Sequence, residues 1–125
     1  MNRAIKILVA DDEEAVRSLV KRLLDDTYKV IEADNGEEAV KVAVNQKPDL
    51  ILMDILMPKM DGLSACYAIK RNQATKAIPV IMLTAVNYEL NRKLSQDVMG
   101  AEGYITKPFE SWALTSMIAE ALDGH

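Results

Sequence analysis

The stretch "ILVADDEE" (residues 7–14) runs four apolar residues directly into four carboxylates. Its first half has the continuous hydrophobicity of a strand buried on both faces, the habit of parallel sheets. Its second half leaves that strand with Asp11, Asp12, Glu13 and Glu14 side by side. Two carboxylates ~5 Å apart at an effective dielectric of about 20 repel by about 3 kcal/mol, a large share of an ordinary domain's stability. Acidic residues ahead of a helix ordinarily complement its macrodipole, the ordinary reading of Glu13 and Glu14, and an Asp at a strand end is ordinarily a cap or turn former. A chain that concentrates such charge at the edge of its core needs a further reason.

Outward from this stretch, apolar runs alternate with amphipathic segments. Strands are expected at 5–10, 28–33, 50–54, 78–84 and 103–106, with 28–33 the most polar and edge-like and "LILMD" (50–54) the most apolar. Helices are expected over about 13–25, from Gly36 to the "NQKP" at 45–48, over 63–71, over about 87–98, and over 111–122 with Ser111 as N-cap. In the first helix Val16, Leu19, Val20, Leu23 and Leu24 share one face. The "MPKMDG" at 57–62 is turn chemistry. Five strands strictly alternating with five helices define a doubly wound α/β fold, a parallel sheet with helices on both faces joined by right-handed crossovers. The 125 residues form one domain, half apolar and 27% charged, without internal repeats.

A formal net charge of −4 argues against a nucleic-acid surface. No apolar run reaches the ~20 residues of a membrane helix, and no secretory leader is seen. Cys66 is the single cysteine, so no disulfide framework or thiolate cluster is expected, and a cytoplasmic location fits. The seven methionines read as core and turn filler, Trp112 as packing on the last helix, and Cys66 as core.

In doubly wound sheets ligands bind beyond the carboxyl ends of the strands. Strand one ends in Asp11 and Asp12, strand three in Asp54, strand four in Thr84 and strand five in Lys107. The fold gathers them on one rim: three carboxylates, a hydroxyl and an ammonium. A divalent cation relieves the repulsion, and hard oxygen ligands favour Mg²⁺ over zinc or copper. Mg²⁺ with Lys and Thr donors aimed at one point is a phosphoryl site, and Asp54, ending the most buried strand, is the expected nucleophile.

Four separated segments, "ILVADDEEAVR", "DLILMDILMPKMDG", "IPVIMLTA" and "GAEGYITKPF", resemble the receiver domains of two-component response regulators, in order and over essentially the whole chain. The resemblance implies a flavodoxin-like sheet of strand order 2-1-3-4-5 and a phosphoryl group accepted on Asp54 from a sensor histidine kinase or phosphotransfer protein. It implies Asp12 as a direct Mg²⁺ ligand, Asp11 acting largely through water, and the backbone carbonyl of Leu56 completing the set. Lys107 would pair with the phosphoryl group, Thr84 would hydrogen-bond it, and Tyr104 would follow Thr84 inward as the switch aromatic. The Lys107–Pro108 peptide is expected to be cis, and the readout face to comprise 87–98, 103–106 and 111–122, contacting a downstream protein or output domain. Leu56 and Val86 border the attacking water's path and are apolar, which predicts slow hydrolysis. The domain is expected to be a switch rather than a turnover enzyme, and a monomer or phosphorylation-dependent dimer. Its start at Met1, a few residues ahead of strand one, is expected of a stand-alone or N-terminal receiver.

Two alternatives share the architecture or the chemistry. An FMN-binding flavodoxin-like module needs a Ser/Thr/Gly-rich phosphate loop where this chain has carboxylates. An aspartyl-nucleophile phosphatase needs a DxDx[TV] pattern after strand one, which "DDEEAV" does not match.

Overall fold

The computed structural model describes residues 4–85 and 100–123, with Thr84 described by its backbone. In chain order the strands are β1 (Lys6–Ala10), β2 (Lys29–Ala33), β3 (Leu50–Asp54), β4 (Val80–Thr84) and β5 (Gly103–Thr106). The helices are α1 (Glu14–Leu24), α2 (Gly36–Gln46), α3 (Gly62–Arg71) and α4 (Ser111–Asp123). All strand pairs are parallel, in the order β2-β1-β3-β4-β5. Four helices lie among the described residues; the further helix expected over 87–98, like Val86, falls outside them.

Alternate residues of the central strands feed two cores. Leu8, Ile51, Met53 and Met82 pack with Ala39, Ala43, Ala65, Cys66 and Ile69 beneath α2 and α3. Ile7, Val9, Leu52, Ile81 and Leu83 pack on the other face with Val20 and Leu24 of α1 and Leu114 and Ile118 of α4. Burial on both faces is why these strands carry no alternating polar residue. β3, fully buried, is the middle strand, and the half-exposed β2 is an edge.

Four expectations are corrected. Ser111 is the first helical residue, not the cap: the Glu110 carbonyl already accepts from the amides of Ala113 and Leu114. Leu19 is 40% exposed, because the apolar stripe of α1 narrows to Val20 and Leu24. Trp112 is 68% exposed rather than packed; it lies about 200° around the helix from Leu114, which faces the core. Strand four starts at Val80, two residues later than expected.

Two glycines hold the loops around the carboxyl end of β3. A Cβ on Gly62 would collide with the Asp54 carbonyl oxygen, and one on Gly36 with the Met60 carbonyl oxygen. Their amides instead donate to Ile55 O at 2.7 Å and Met60 O at 3.0 Å. The turn after Asp54 is thereby clamped against α2 and the start of α3, and Lys59 within it adopts a left-handed φ of 68°.

Candidate functional site

β1 and β3 are neighbours, so their carboxyl ends deliver Asp11, Asp12 and Asp54 to one spot. One carboxylate oxygen from each lies within 4.8 Å of the others. Asp11 is fully buried, Asp54 nearly so and Asp12 exposed. Buried carboxylates persist only with hydrogen bonds or countercharge. Asp11 has both: its Oδ1 accepts from the Glu13 amide at 2.9 Å, and its Oδ2 accepts from Lys107 Nζ at 2.9 Å. Lys107 Nζ also stands 3.6 Å from Asp54 Oδ1 and 3.7 Å from Glu13 Oε1.

Among the described residues one ammonium therefore meets three carboxylates, with Asp12 beside two of them, and the charges do not balance. Burial, then the Asp11 carboxylate, push the Asp54 carboxyl up to about 6 against the opposing pull of Lys107. Burial alone would lower the Lys107 ammonium, but the hydrogen bond to Asp11 and the charges of Asp54, Asp11 and Glu13 outweigh it and hold it above the usual lysine range. An acidic cluster left with excess negative charge, built from hard oxygen donors and open on the Asp12 side, fits a divalent cation of the Mg²⁺ type.

The remaining expected residues lie on the neighbouring strands and the turn after β3. Leu56 lies just past β3 with its side chain 64% exposed. Thr84 ends β4 with its backbone opposite Thr106. Tyr104 is half-buried on β5 opposite Met82, against the core beneath α2 and α3. The Lys107–Pro108 peptide is cis, as the resemblance implied. Val16, Leu19, Ala85, Pro108 and Phe109 line an apolar groove of 330 Å³ beside Lys107 and Glu13.

Two participants were not singled out in the sequence. Glu13 reads as a macrodipole residue yet stands over Lys107. Arg17 is given no role by the sequence, yet its guanidinium reaches the backbone of Asp11. An Arg one turn into a helix gives no sequence signal for such a contact.

Comparison with known proteins agrees with this geometry. A family model, the response regulator receiver domain, matches residues 7–119, and the chain belongs to that family. It is a receiver domain of the two-component response regulators. It is 38% identical over 120 residues to the chemotaxis protein CheY of Halobacterium salinarum, covering 95% of this chain and 98% of that protein. It is 43% identical over 105 residues to the alkaline phosphatase synthesis transcriptional regulatory protein PhoP of Bacillus subtilis, covering 83% of this chain and 42% of that protein. The chain spans about half the length of the transcriptional regulators it matches. Among solved structures, the receiver domain of a sensor histidine kinase from Pseudomonas aeruginosa, with a magnesium ion coordinated in its active site cleft, superposes with a TM-score of 0.88. That pair is 28% identical, over 97% of this chain and 99% of that one. No helix among the described residues is long and apolar enough to cross a membrane.

Proposed function

We propose that Asp54 accepts a phosphoryl group from the phosphohistidine of a sensor histidine kinase or phosphotransfer protein, with Mg²⁺ as cofactor. The observation that carries this reading is the convergence of Asp11, Asp12 and Asp54 within 4.8 Å beside the Lys107 ammonium. Asp12, Asp54 and the backbone carbonyl of Leu56 would hold the metal. Asp11, whose two oxygens already accept hydrogen bonds, would reach it through water. When bound, the cation neutralises phosphoryl oxygens and holds them for in-line displacement.

Asp54 Oδ attacks phosphorus, an O–P bond forms, and the N–P bond to the donor imidazole breaks with its electron pair leaving on nitrogen. Ionised Asp54 is required; burial and the Asp11 carboxylate raise its carboxyl, and a cation held beside it would act in the opposite direction. Lys107, 3.6 Å from Asp54 Oδ1, is within reach of an oxygen of a phosphoryl group attached there.

The added charge of about −2 is the input to the switch. Thr84 hydrogen-bonds the new oxygens, Tyr104 turns inward, and the population shifts between two states of a face made by the helix expected over 87–98, β5 and α4. Exposed Trp112 on α4 suits that face as a partner contact. The domain acts in the cytoplasm as a switch labelled once, rather than as an enzyme with turnover, and passes its state to a downstream protein or output domain.

Incubation with acetyl phosphate and Mg²⁺ followed by intact-mass spectrometry tests the reading. One phosphoryl group is expected on the parent chain and none on Asp54→Asn; equal labelling of both would overturn it. Tyr104→Ala is expected to keep full labelling while weakening partner binding severalfold, measured by titration calorimetry. With apolar, exposed Leu56 beside the site, the acyl phosphate is expected to decay slowly.

A further inference from the structure

Arg17, in the first half of α1, has no place in the chemistry above, yet it is engaged at both ends of its guanidinium. Nη1 donates to the carbonyl oxygen of Asp11 at 2.7 Å, and Nε donates to Glu32 Oε1 at 3.0 Å. The side chain is only 15% exposed. The Asp11 carbonyl belongs to the peptide that joins Asp11 to Asp12, the two members of the acidic cluster that follow β1. Glu32 sits in β2 opposite Val9 of β1, so the far end of the clamp is fastened to the sheet.

The rest of this turn is also tied. The Asp11 amide donates to Ala33 O at 3.1 Å, and the Glu13 amide to Asp11 Oδ1 at 2.9 Å. Arg17 supplies the remaining restraint, on the carbonyl side of the Asp11–Asp12 peptide. That peptide plane sets where the Asp12 side chain leaves the backbone, and Asp12 is exposed, without packing to direct it. A planar fork can hold a carbonyl and a carboxylate in one fixed geometry, which a lysine ammonium cannot.

We propose that Arg17 is a positioning residue for divalent-cation binding, fixing the Asp11–Asp12 peptide so that both carboxylates meet Asp54. The inference rests on reading the acidic cluster as the Mg²⁺ site. The competing explanation, plain electrostatics, has the opposite sign: removing a cation beside an acidic site tightens Mg²⁺ binding.

The experiment is a Mg²⁺ titration of the full chain by calorimetry and by backbone-amide NMR, for the parent, Arg17→Gln, Arg17→Lys and Asp12→Asn. Thermal midpoints in chelator are measured alongside, to separate folding from affinity. Arg17→Gln is expected to weaken Mg²⁺ about tenfold, the usual scale for a residue that orients a ligand, with altered shifts at the Asp12 and Glu13 amides. Arg17→Lys keeps the charge and loses the fork, so a loss of about threefold is expected where electrostatics predicts none. Affinity unchanged or tighter in Arg17→Gln overturns the proposal. If Arg17→Gln does not fold, unchanged affinity in Arg17→Lys overturns it equally. Saturable binding by the parent that Asp12→Asn abolishes, with both Arg17 variants at parental affinity, sinks the clamp and leaves the Mg²⁺ reading standing. Absence of saturable binding by the parent sinks both.

Discussion

The two ends of the sheet handle charge in opposite ways. At the amino ends of the strands, Lys6, Asp49, Lys70 and Glu102 are each tied to a partner. The Lys6 amide donates to Asp49 Oδ2 at 2.8 Å and its Nζ to Gln46 O at 2.7 Å. Lys70 Nζ reaches Ile78 O at 2.6 Å and Glu102 Oε2 at 2.7 Å, while Glu102 Oε1 accepts from the Val80 amide at 2.8 Å. At the carboxyl ends, among the described residues, the Lys107 ammonium is the cation paired with the carboxylates of Asp11, Glu13 and Asp54. Asp12 stands beside them, and the Arg17 guanidinium reaches only the backbone there. The amino end behaves as fastening, with partners that complete one another. The carboxyl end holds an excess of negative charge, visible in the Asp54 carboxyl pushed up to about 6. Such an excess is tolerated where a bound cation completes the site, and local conflict of this kind marks function rather than stability.

The largest effect should come from removing the Lys107 ammonium. Asp11 is fully buried and Lys107 Nζ is its charge partner, so Lys107→Ala leaves a buried carboxylate uncompensated. A loss of roughly 3 kcal/mol is expected in metal-free protein at pH 7, read as a lower urea midpoint with unchanged slope. Mg²⁺ should restore part of it, because a cation then stands near the same carboxylates. A loss below about 1 kcal/mol would mean the two ends do not differ as described.

How far this contrast was legible in the sequence depends on what carried it. The apolar runs ending in Asp11 and Asp54 identified both strands and the rim, because the fold rule for parallel sheets converts chain-distant strand ends into neighbours. The balance of charges was only partly legible. Lys107 was expected at the rim, but its direct bond to Asp11, and the presence of Glu13 over it, depend on side-chain directions in loops. The Arg17 contact was hidden for the same reason: its acceptor is a backbone carbonyl, which has no residue-type signature. The exposure of Trp112 was readable and was misjudged. Leu114 and Ile118 define the inward stripe of α4, and a residue two positions before Leu114 falls on the opposite side.

The second effect in size comes from removing a repelling charge instead of a matching one. The Asp54 carboxyl rises from 3.8 to about 6 in the folded, metal-free state. Below pH of about 4 it is neutral in both folded and unfolded chains and carries no electrostatic cost. Between about 4 and 6 the native state holds a proton that the unfolded state has released, so stability falls as pH rises through this window, and the full cost stands above about 6. Asp54→Asn, which never ionises, should therefore be more stable than the parent by about 2 kcal/mol at pH 7 in chelator, and equal to it near pH 3.5. Saturating Mg²⁺ should shrink the gap at pH 7. Paired melts across pH check this, and a variant that gains nothing at pH 7 would show that the acidic rim is already neutralised by the protein.

The smallest expected effect tests the fastening end. Lys70→Met removes the ammonium that joins the Ile78 carbonyl to Glu102, while the aliphatic stem that packs near Gly100 is largely kept. Glu102 is a third exposed and can be rehydrated, so the uncompensated group is the part-buried Ile78 carbonyl. A loss of about 1 kcal/mol follows, well short of the Lys107 change. The decisive feature is selectivity. Lys70 lies at the far end of the strands from the acidic cluster, so Mg²⁺ affinity and acetyl-phosphate labelling should match the parent's even as the melting temperature falls. A Lys70 variant that also weakened Mg²⁺ binding would mean that tension at one end of the sheet is transmitted to the other. The paired and unpaired ends would then have to be treated as one coupled network.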